Sequence, residues 1–259
     1  MPRYAERLLL ALACVALVGN TRGPMAEPIA SPADLGGGQE QMTVHSPRIH
    51  NAVLRQGDGV MVPYAIWVPQ GYAAGKPVPL VLALHFGGEP HGAGRSMLQL
   101  LVRPALGELG AIVVAPDSIA GRWDSAQNEA AVSALLSAVE HTYSIDPKRR
   151  VVMGFSMGGA GTWYWGEKHP ERFSAAIPIA GRPSGPASSW RLPVFAIHSR
   201  DDQVVPIGPT AERIAELKAR GLNAQLLEVQ GISHYETNRF APSLQKAVPW
   251  LQELWRTAQ

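Results

Sequence analysis

The stretch that most constrains the fold of this chain is residues 151–161, an apolar run that ends at Ser156 and continues into a glycine-rich segment. Gly154 and Gly158 flank the serine in a G-x-S-x-G pattern, as a very tight turn between a buried strand and a helix requires. Such a turn strains the serine and exposes its hydroxyl above the sheet edge. The amides of the first helical turn then face the place where negative charge would develop.

The same alternation of apolar runs and helical patterns extends along most of the chain. Strands are predicted at residues 60–68, 80–84, 111–115, 151–155, 173–179, 194–198 and 224–229. Helices are predicted at residues 96–109, 128–143, 158–169, 209–220 and 244–255, with Asn128 as an N-cap. This order predicts an α/β fold with a mostly parallel sheet and helices on both faces. No insertion is long enough to form a large lid domain.

Composition and charge restrict the possible classes of protein. With 259 residues, 46% of them hydrophobic and 17% charged, the chain suits one domain with a substantial core. A net charge of +2 without a basic block argues against nucleic acid as a partner. The only cysteine is Cys14, which excludes an intramolecular disulfide and a metal site built from cysteines.

The N-terminus has the organisation of an export signal. Arg3 and Arg7 precede an apolar run at residues 8–18, and a polar exit follows. The run is too short to cross a bilayer comfortably. An ordinary N-terminal helix is the alternative, and a weak resemblance to a lipoprotein box leaves lipid anchoring through Cys14 as a minor one.

Three segments therefore make up the predicted domain organisation. Residues 1–26 form an export signal, residues 27–50 a linker or loose arm, and residues 51–259 the catalytic domain. The mature protein is expected to be periplasmic or secreted, with no membrane span. The sequence does not indicate its oligomeric state.

A serine hydroxyl becomes a useful nucleophile only when a base takes its proton and a third group orients that base. The histidines downstream of Ser156 are His169, His198 and His234. His169 lies at a helix end and His198 ends an apolar strand, so both have structural explanations. His234 lies in a loop after the last predicted strand, which overhangs the carboxyl edge of the sheet, and is the predicted base.

The orienting acid is expected after the penultimate strand, where Asp201 and Asp202 are adjacent candidates. Glu228 and Glu236 are weaker choices, because one lies on a strand and the other is too near the histidine in sequence.

The whole set of motifs resembles the α/β-hydrolase superfamily over about residues 60–255. Residues 146–173 are similar to a group of exported esterases and predicted peptidases. That group is related to dienelactone hydrolases, phospholipase/carboxylesterases and polyhydroxybutyrate-depolymerase-like esterases. In related hydrolases the acid lies three residues before a Val-Pro pair, so the resemblance selects Asp202 over Asp201.

The resemblance also implies an oxyanion hole, a pair of backbone amides that stabilise the developing negative charge. Met157, which follows the nucleophile, supplies one amide. His85-Phe86-Gly87-Gly88 is similar to the H-G-x-G turn of esterases, which assigns the other amide to Gly87. Phe86 departs from that pattern, because the family usually has glycine there.

The resemblance predicts a serine carboxylic ester hydrolase that acts on small or polymer-linked esters through an acyl-enzyme on Ser156. It implies no metal and no organic cofactor. Phe86, Trp123 and Arg182 are the predicted substrate contacts, although packed or solvated loop positions explain each of them as well. The alternatives are a serine peptidase of prolyl-oligopeptidase type and a non-catalytic binding module of hydrolase fold.

Overall fold

The computed structural model describes residues 48–257, which form one eight-stranded sheet in the order β1-β2-β4-β3-β5-β6-β7-β8. The strands are β1 (Ile49–Arg55), β2 (Met61–Trp67), β3 (Val78–Leu84), β4 (Ile112–Pro116), β5 (Ile145–Phe155), β6 (Ala175–Ile179), β7 (Val194–Ser199) and β8 (Ala224–Val229). Strand β2 runs antiparallel to both of its neighbours, and the remaining pairs are parallel. The mostly parallel sheet predicted from the alternation is therefore confirmed.

The predicted export signal at residues 1–26 lies outside the described residues, as does most of the predicted arm. Strand β1 begins at Ile49, within the segment predicted as a linker. It pairs along its whole length with β2, so this part of the chain belongs to the sheet.

The helices follow the predicted order, with differences at their ends. They are α1 (Ala93–Met97), α2 (Arg103–Leu106), α3 (Ala126–Thr142), α4 (Met157–Lys168), α5 (Gly208–Ala219), α6 (Ala241–Gln245) and α7 (Ala247–Thr257). A π-helical turn, Leu98–Val102, joins α1 to α2. The predicted cap of α3 was wrong: Ser125 is the N-cap, and its Oγ accepts the amide of Asn128 at 3.3 Å.

Two hydrophobic clusters cover the two faces of the sheet, because alternate residues of each strand point to opposite sides. In β3, Val81 and Ala83 join the cluster that contains α1, α2, α6 and α7. Leu80, Leu82 and Leu84 join the cluster that contains apolar side chains of α3, α4 and α5. The carboxyl ends of β3 to β8 lie along one edge, where crevices of open α/β sheets bind ligands. No helix within residues 48–257 has the length and apolar character that crossing a membrane requires.

Candidate active site

Ser156 occupies the turn between β5, which ends at Phe155, and α4, which begins at Met157. Its backbone has φ 57° and ψ −113°, a conformation that non-glycine residues rarely adopt. The Ser156 amide donates to the carbonyl of Ile179 on β6 at 2.9 Å, which anchors the strained residue to the neighbouring strand. The strain predicted from the G-x-S-x-G pattern is therefore present, and strain of this kind is typical of functional sites.

Close backbone approach explains the two glycines that flank the serine. A Cβ on Gly158 would lie 1.9 Å from the carbonyl oxygen of Leu84 at the end of β3. A Cβ on Gly154 would lie 2.3 Å from the carbonyl oxygen of Gly158. Only glycine at these two positions lets helix α4 begin this close to the adjacent strands.

The structure brings Ser156, His234 and Asp202 into one hydrogen-bonded chain. Ser156 Oγ lies 2.7 Å from His234 Nε2, and His234 Nδ1 lies 2.7 Å from Asp202 Oδ2. An ionised carboxylate only accepts hydrogen bonds, so Nδ1 carries the proton. The Nε2 lone pair is then free to accept from the serine hydroxyl. The carboxylate is fully buried and the imidazole almost so.

Asp202 and Asp201 face different surroundings although they are adjacent. Asp202 Oδ1 accepts the amides of Val204 at 2.9 Å and Val205 at 2.7 Å, while Oδ2 accepts from the histidine. Asp201 is exposed, and its Oδ2 accepts the amide of Gly231 at 2.6 Å. Asp202 is thus the carboxylate that reaches His234, whereas Asp201 ties the loop after β7 to the loop after β8.

His198 supports the same loop from inside the protein. Its side chain is buried, with Nε2 donating to the Val205 carbonyl at 2.8 Å and Nδ1 lying 3.0 Å from Thr210 Oγ1. Burial lowers the pKa of His198, so the ring is neutral and holds the turn that supplies amides to Asp202. The sequence placed His198 at a strand end but did not reveal this role, because the contacts depend on how the loop after β7 folds back over the ring.

The candidate oxyanion amides belong to neighbouring segments. An ideal Cβ on Gly87 would lie 3.9 Å from the Cβ of Met157, so the loop after β3 runs beside the first residue of α4. Among residues 48–257, the Gly87 amide has no hydrogen-bond acceptor. The Gly87 backbone therefore lies beside the residue that follows Ser156, and the role of both amides in charge stabilisation stays a prediction.

His85 shapes the loop that carries Gly87. Its buried ring lies with Nδ1 2.6 Å from the Phe86 carbonyl oxygen and Nε2 2.9 Å from the Ser118 amide nitrogen. The carbonyl requires a donor and the amide an acceptor, so the ring is the neutral Nδ1–H tautomer. Burial lowers the pKa of His85, which favours that neutral form. The carbonyl of His85 accepts from Trp123 Nε1 at 2.9 Å.

A pocket of about 350 Å³ opens beside Ser156. Trp123 and Arg182, two of the three predicted substrate contacts, line it. Trp123 is almost fully buried, whereas Arg182 is exposed. Phe86 does not line this pocket; its half-buried ring packs edge-to-face against Phe155, with ring centroids 6.5 Å apart.

Tyr164 of α4, which was not among the predicted substrate contacts, also lines the pocket. Its hydroxyl donates to Glu129 at 2.7 Å, and burial with this hydrogen bond raises the pKa of Tyr164 to about 12. Glu129 also lies 2.9 Å from Nε2 of His169, the histidine excluded as the base. Within residues 48–257, no group of three or more His, Cys, Asp or Glu side chains is arranged to hold a metal ion.

Comparison with known proteins agrees with this architecture. A model of the PET hydrolase-like family matches residues 104–255. Probable feruloyl esterase C of Aspergillus terreus is 28% identical over 151 residues, and feruloyl esterase C of Emericella nidulans is 27% identical over 151 residues. Each alignment covers 56% of this chain and 56% of the relative, so the chain spans about half the length of the curated relatives it matches.

Solved structures show the same fold at low sequence identity. A thermostable esterase superimposes with a TM-score of 0.66 at 24% identity, covering 79% of this chain and 62% of the other. A feruloyl esterase module from Clostridium thermocellum, complexed with sinapinate, superimposes with a TM-score of 0.63 at 22% identity. The superposition covers 84% of this chain and 92% of the module. The α/β-hydrolase fold predicted from the motifs is confirmed.

Proposed function

The chain belongs to the PET hydrolase-like family, and from that premise we propose that it is a serine carboxylic ester hydrolase acting through an acyl-enzyme on Ser156. The observation that carries the proposal is the continuous relay of two 2.7 Å contacts from Ser156 Oγ through His234 to Asp202. The esterase names of its relatives support the same class of reaction.

In the first half of the reaction, Ser156 Oγ forms a bond to the ester carbonyl carbon while His234 Nε2 takes the hydroxyl proton. The carbonyl oxygen becomes an oxyanion, which the amides of Gly87 and Met157 stabilise. Asp202 holds the ring orientation and stabilises the imidazolium. Its two amide partners hold Oδ1, which leaves Oδ2 aimed at Nδ1.

Collapse of this intermediate breaks the bond to the alcohol oxygen, which receives the proton from His234 Nε2 and leaves. A water molecule then gives its proton to the same nitrogen and attacks the acyl carbon. Release of the carboxylic acid restores the Ser156 hydroxyl. The protons balance over the two halves, because His234 accepts and returns one in each.

The proposed substrates are small or polymer-linked carboxylic esters. Support comes from the accessible pocket beside Ser156 and from the relatives' names, which include feruloyl esterases. Peptidase activity of prolyl-oligopeptidase type is the competing hypothesis, since the same relay cleaves amides.

A panel of 4-nitrophenyl esters beside peptide 4-nitroanilides tests this proposal. We expect turnover of esters, and a fluorophosphonate probe should add one adduct, which peptide mapping assigns to Ser156. Preference for the anilides would instead identify a peptidase. Absence of both turnover and adduct would leave a binding module of hydrolase fold.

Export is the second element of the proposal, with residues 1–26 as the signal. The intact mass of the protein recovered from the periplasm or medium of an expressing host tests it. Cleavage near Ala26 supports a soluble exported enzyme. A mass that retains Cys14 with attached lipid would support the anchored alternative instead.

A further inference from the structure

Four segments line the pocket beside Ser156. The loop after β4 supplies Trp123 with its two neighbours, and α4 supplies a second wall that runs from Met157 to Tyr164. The segment after β6 supplies Arg182 and the residues that follow it, and the loop after β7 supplies Val205. The nucleophile therefore faces a recognition surface made mainly of loops.

The charges on these walls do not cancel. Arg122 forms a two-pronged ion pair with Asp124, with Nε to Oδ1 at 3.1 Å and Nη2 to Oδ2 at 2.9 Å. The charges of Arg122 and Asp124 therefore neutralise each other, and the hydrogen bonds from Arg122 lower the pKa of the Asp124 carboxyl. Arg182 is exposed and has no hydrogen bond or ion pair with any residue in the range 48–257. The other residues lining the pocket are uncharged, so one positive charge remains for a ligand.

The backbone that carries Arg182 is held firmly although its side chain is free. Ala180 adopts φ 49°, one of only two positive values at non-glycine residues among those described. On the C-terminal side of Arg182, Arg213 donates to the carbonyl of Ser184 at 3.1 Å and to that of Gly185 at 2.5 Å. An anion that binds the unpaired guanidinium would therefore have to order the side chain but not the backbone that carries it.

The residues that line the pocket favour its use by the acyl part of an ester. His234, which must protonate the departing alcohol, does not line it, whereas Met157, an expected oxyanion donor, does. The alcohol has to leave toward His234 to be protonated, so we expect the part of the substrate that stays bound to Ser156 to occupy the pocket. That part is the acyl group, and Arg182 is the charge it meets.

We infer that Arg182 selects esters whose acyl chain carries a free carboxylate, that is, half-esters of dicarboxylic acids. A guanidinium binds a carboxylate through two parallel hydrogen bonds, which provides both charge neutralisation and orientation. The inference rests on the proposed esterase function and specifies its substrate class.

The test compares two 4-nitrophenyl esters that differ only at the far end of the acyl chain. One is the monoester of adipic acid, and the other has a carboxamide in place of the free carboxylate. We expect kcat/KM to favour the carboxylate on the order of tenfold, the size of a charge-assisted hydrogen bond. This ratio should fall between ionic strengths of about 0.02 M and about 0.5 M, because salt screens an accessible charge.

Arg182→Gln should bring the ratio close to one, and Arg182→Lys should retain part of it. Arg103→Gln removes the same charge from an exposed position on α2 outside the pocket, and should leave the ratio unchanged. A ratio near one in the parent protein, or one that survives Arg182→Gln, would overturn the inference. Loss of all turnover in the parent protein, with no adduct on Ser156, would refute the esterase proposal itself.

Discussion

The two sides of Ser156 are built on opposite principles. On the relay side, each oxygen of the Asp202 carboxylate has partners, and the carboxylate is completely buried. On the pocket side, Arg182 is exposed with no partner among residues 48–257. Chemistry requires groups that are already oriented before the substrate arrives, whereas recognition requires a group that only the substrate satisfies. Disturbing one side should therefore affect turnover, and disturbing the other should affect selectivity.

The largest effect is expected from removing the nucleophile or the base. Ser156→Ala and His234→Ala should each reduce kcat roughly 10⁴-fold to 10⁶-fold, because members of such a relay act as a unit. Steady-state hydrolysis of a 4-nitrophenyl ester measures the loss, with circular dichroism as the folding control. A Ser156→Ala protein that keeps its activity would exclude the covalent mechanism.

The two adjacent aspartates provide the next comparison. Asp202→Asn should lower kcat on the order of 10⁴-fold, because an amide at this position can favour the wrong histidine tautomer. Asp201→Asn should cost less than about tenfold, since that side chain holds only the Gly231 amide. The two kcat values, measured side by side on folded protein, decide the assignment. If Asp201→Asn is the inactive variant, Asp201 and not Asp202 is the orienting acid.

His85→Asn should affect stability more than chemistry. Asparagine still offers a donor to the Phe86 carbonyl but leaves the buried Ser118 amide without its acceptor. We expect a loss of about 1–3 kcal/mol in the free energy of unfolding, the cost of one orphaned buried group. Urea denaturation measures it, with the exposed His141→Asn as the matched control, for which no comparable loss is expected.

The same variant should change the pH dependence of stability. Burial lowers the folded-state pKa of His85 below its ordinary value of 6.5, so on acidification the unfolded chain takes up the proton first. Stability from the neutral ring is complete above pH 6.5 and is lost as the pH falls below it. His85→Asn should reduce this slope by up to about 1.4 kcal/mol per pH unit. An unchanged slope would show that His85 is protonated in the folded protein as readily as in the unfolded chain.

The smallest effect is expected on the pocket side, from Arg213→Ala. Loss of its bonds to the carbonyls of Ser184 and Gly185 loosens the segment that carries Arg182. We expect KM for an ester with a charged acyl chain to rise by up to about tenfold, with kcat changed less than about twofold. Arg220→Ala is the control, because Arg220 binds carbonyls farther along the same loop, including that of Ser188. An equal rise in KM for both variants would mean that the effect is not specific to the pocket wall.

The strands and helices were largely predictable because their apolar spacing is a local property of the chain. Strand β1 was missed, since the residues of Ile49–Arg55 are half-buried or exposed except Ile49 and lack a continuous apolar run. Asn128 was misassigned as the N-cap of α3 because asparagine before an apolar helical pattern is typical of a cap. Its side chain is instead buried and donates to Ser118 Oγ at 2.9 Å.

In the active site, too, local sequence patterns predict some residues and miss others. The positions of Ser156, Asp202 and His234 follow from the loops in which they lie, and loops at one sheet edge meet in space. The contact of Asp201 with the Gly231 amide joins two separate loops, and the contact of His198 with Thr210 depends on which way the buried ring points. Neither is visible in spacing alone, so the chain order predicts the reacting groups better than the groups that hold them.

The strained backbone at Ser156 has a consequence for how this protein should lose its activity on heating. Ser156 and Ala180 each come directly after the last residue of a strand, and both have a positive φ. The amide of Ser156 donates to the carbonyl of Ile179, and the amide of Ala180 donates to the carbonyl of Ile197, both at 2.9 Å. The nucleophile is therefore fastened to the centre of the sheet and not to a separately opening loop. Amide hydrogen exchange at these two positions should require the largest opening that the sheet undergoes. Heat inactivation should accordingly coincide with cooperative unfolding of the sheet, with no earlier loss at the nucleophile.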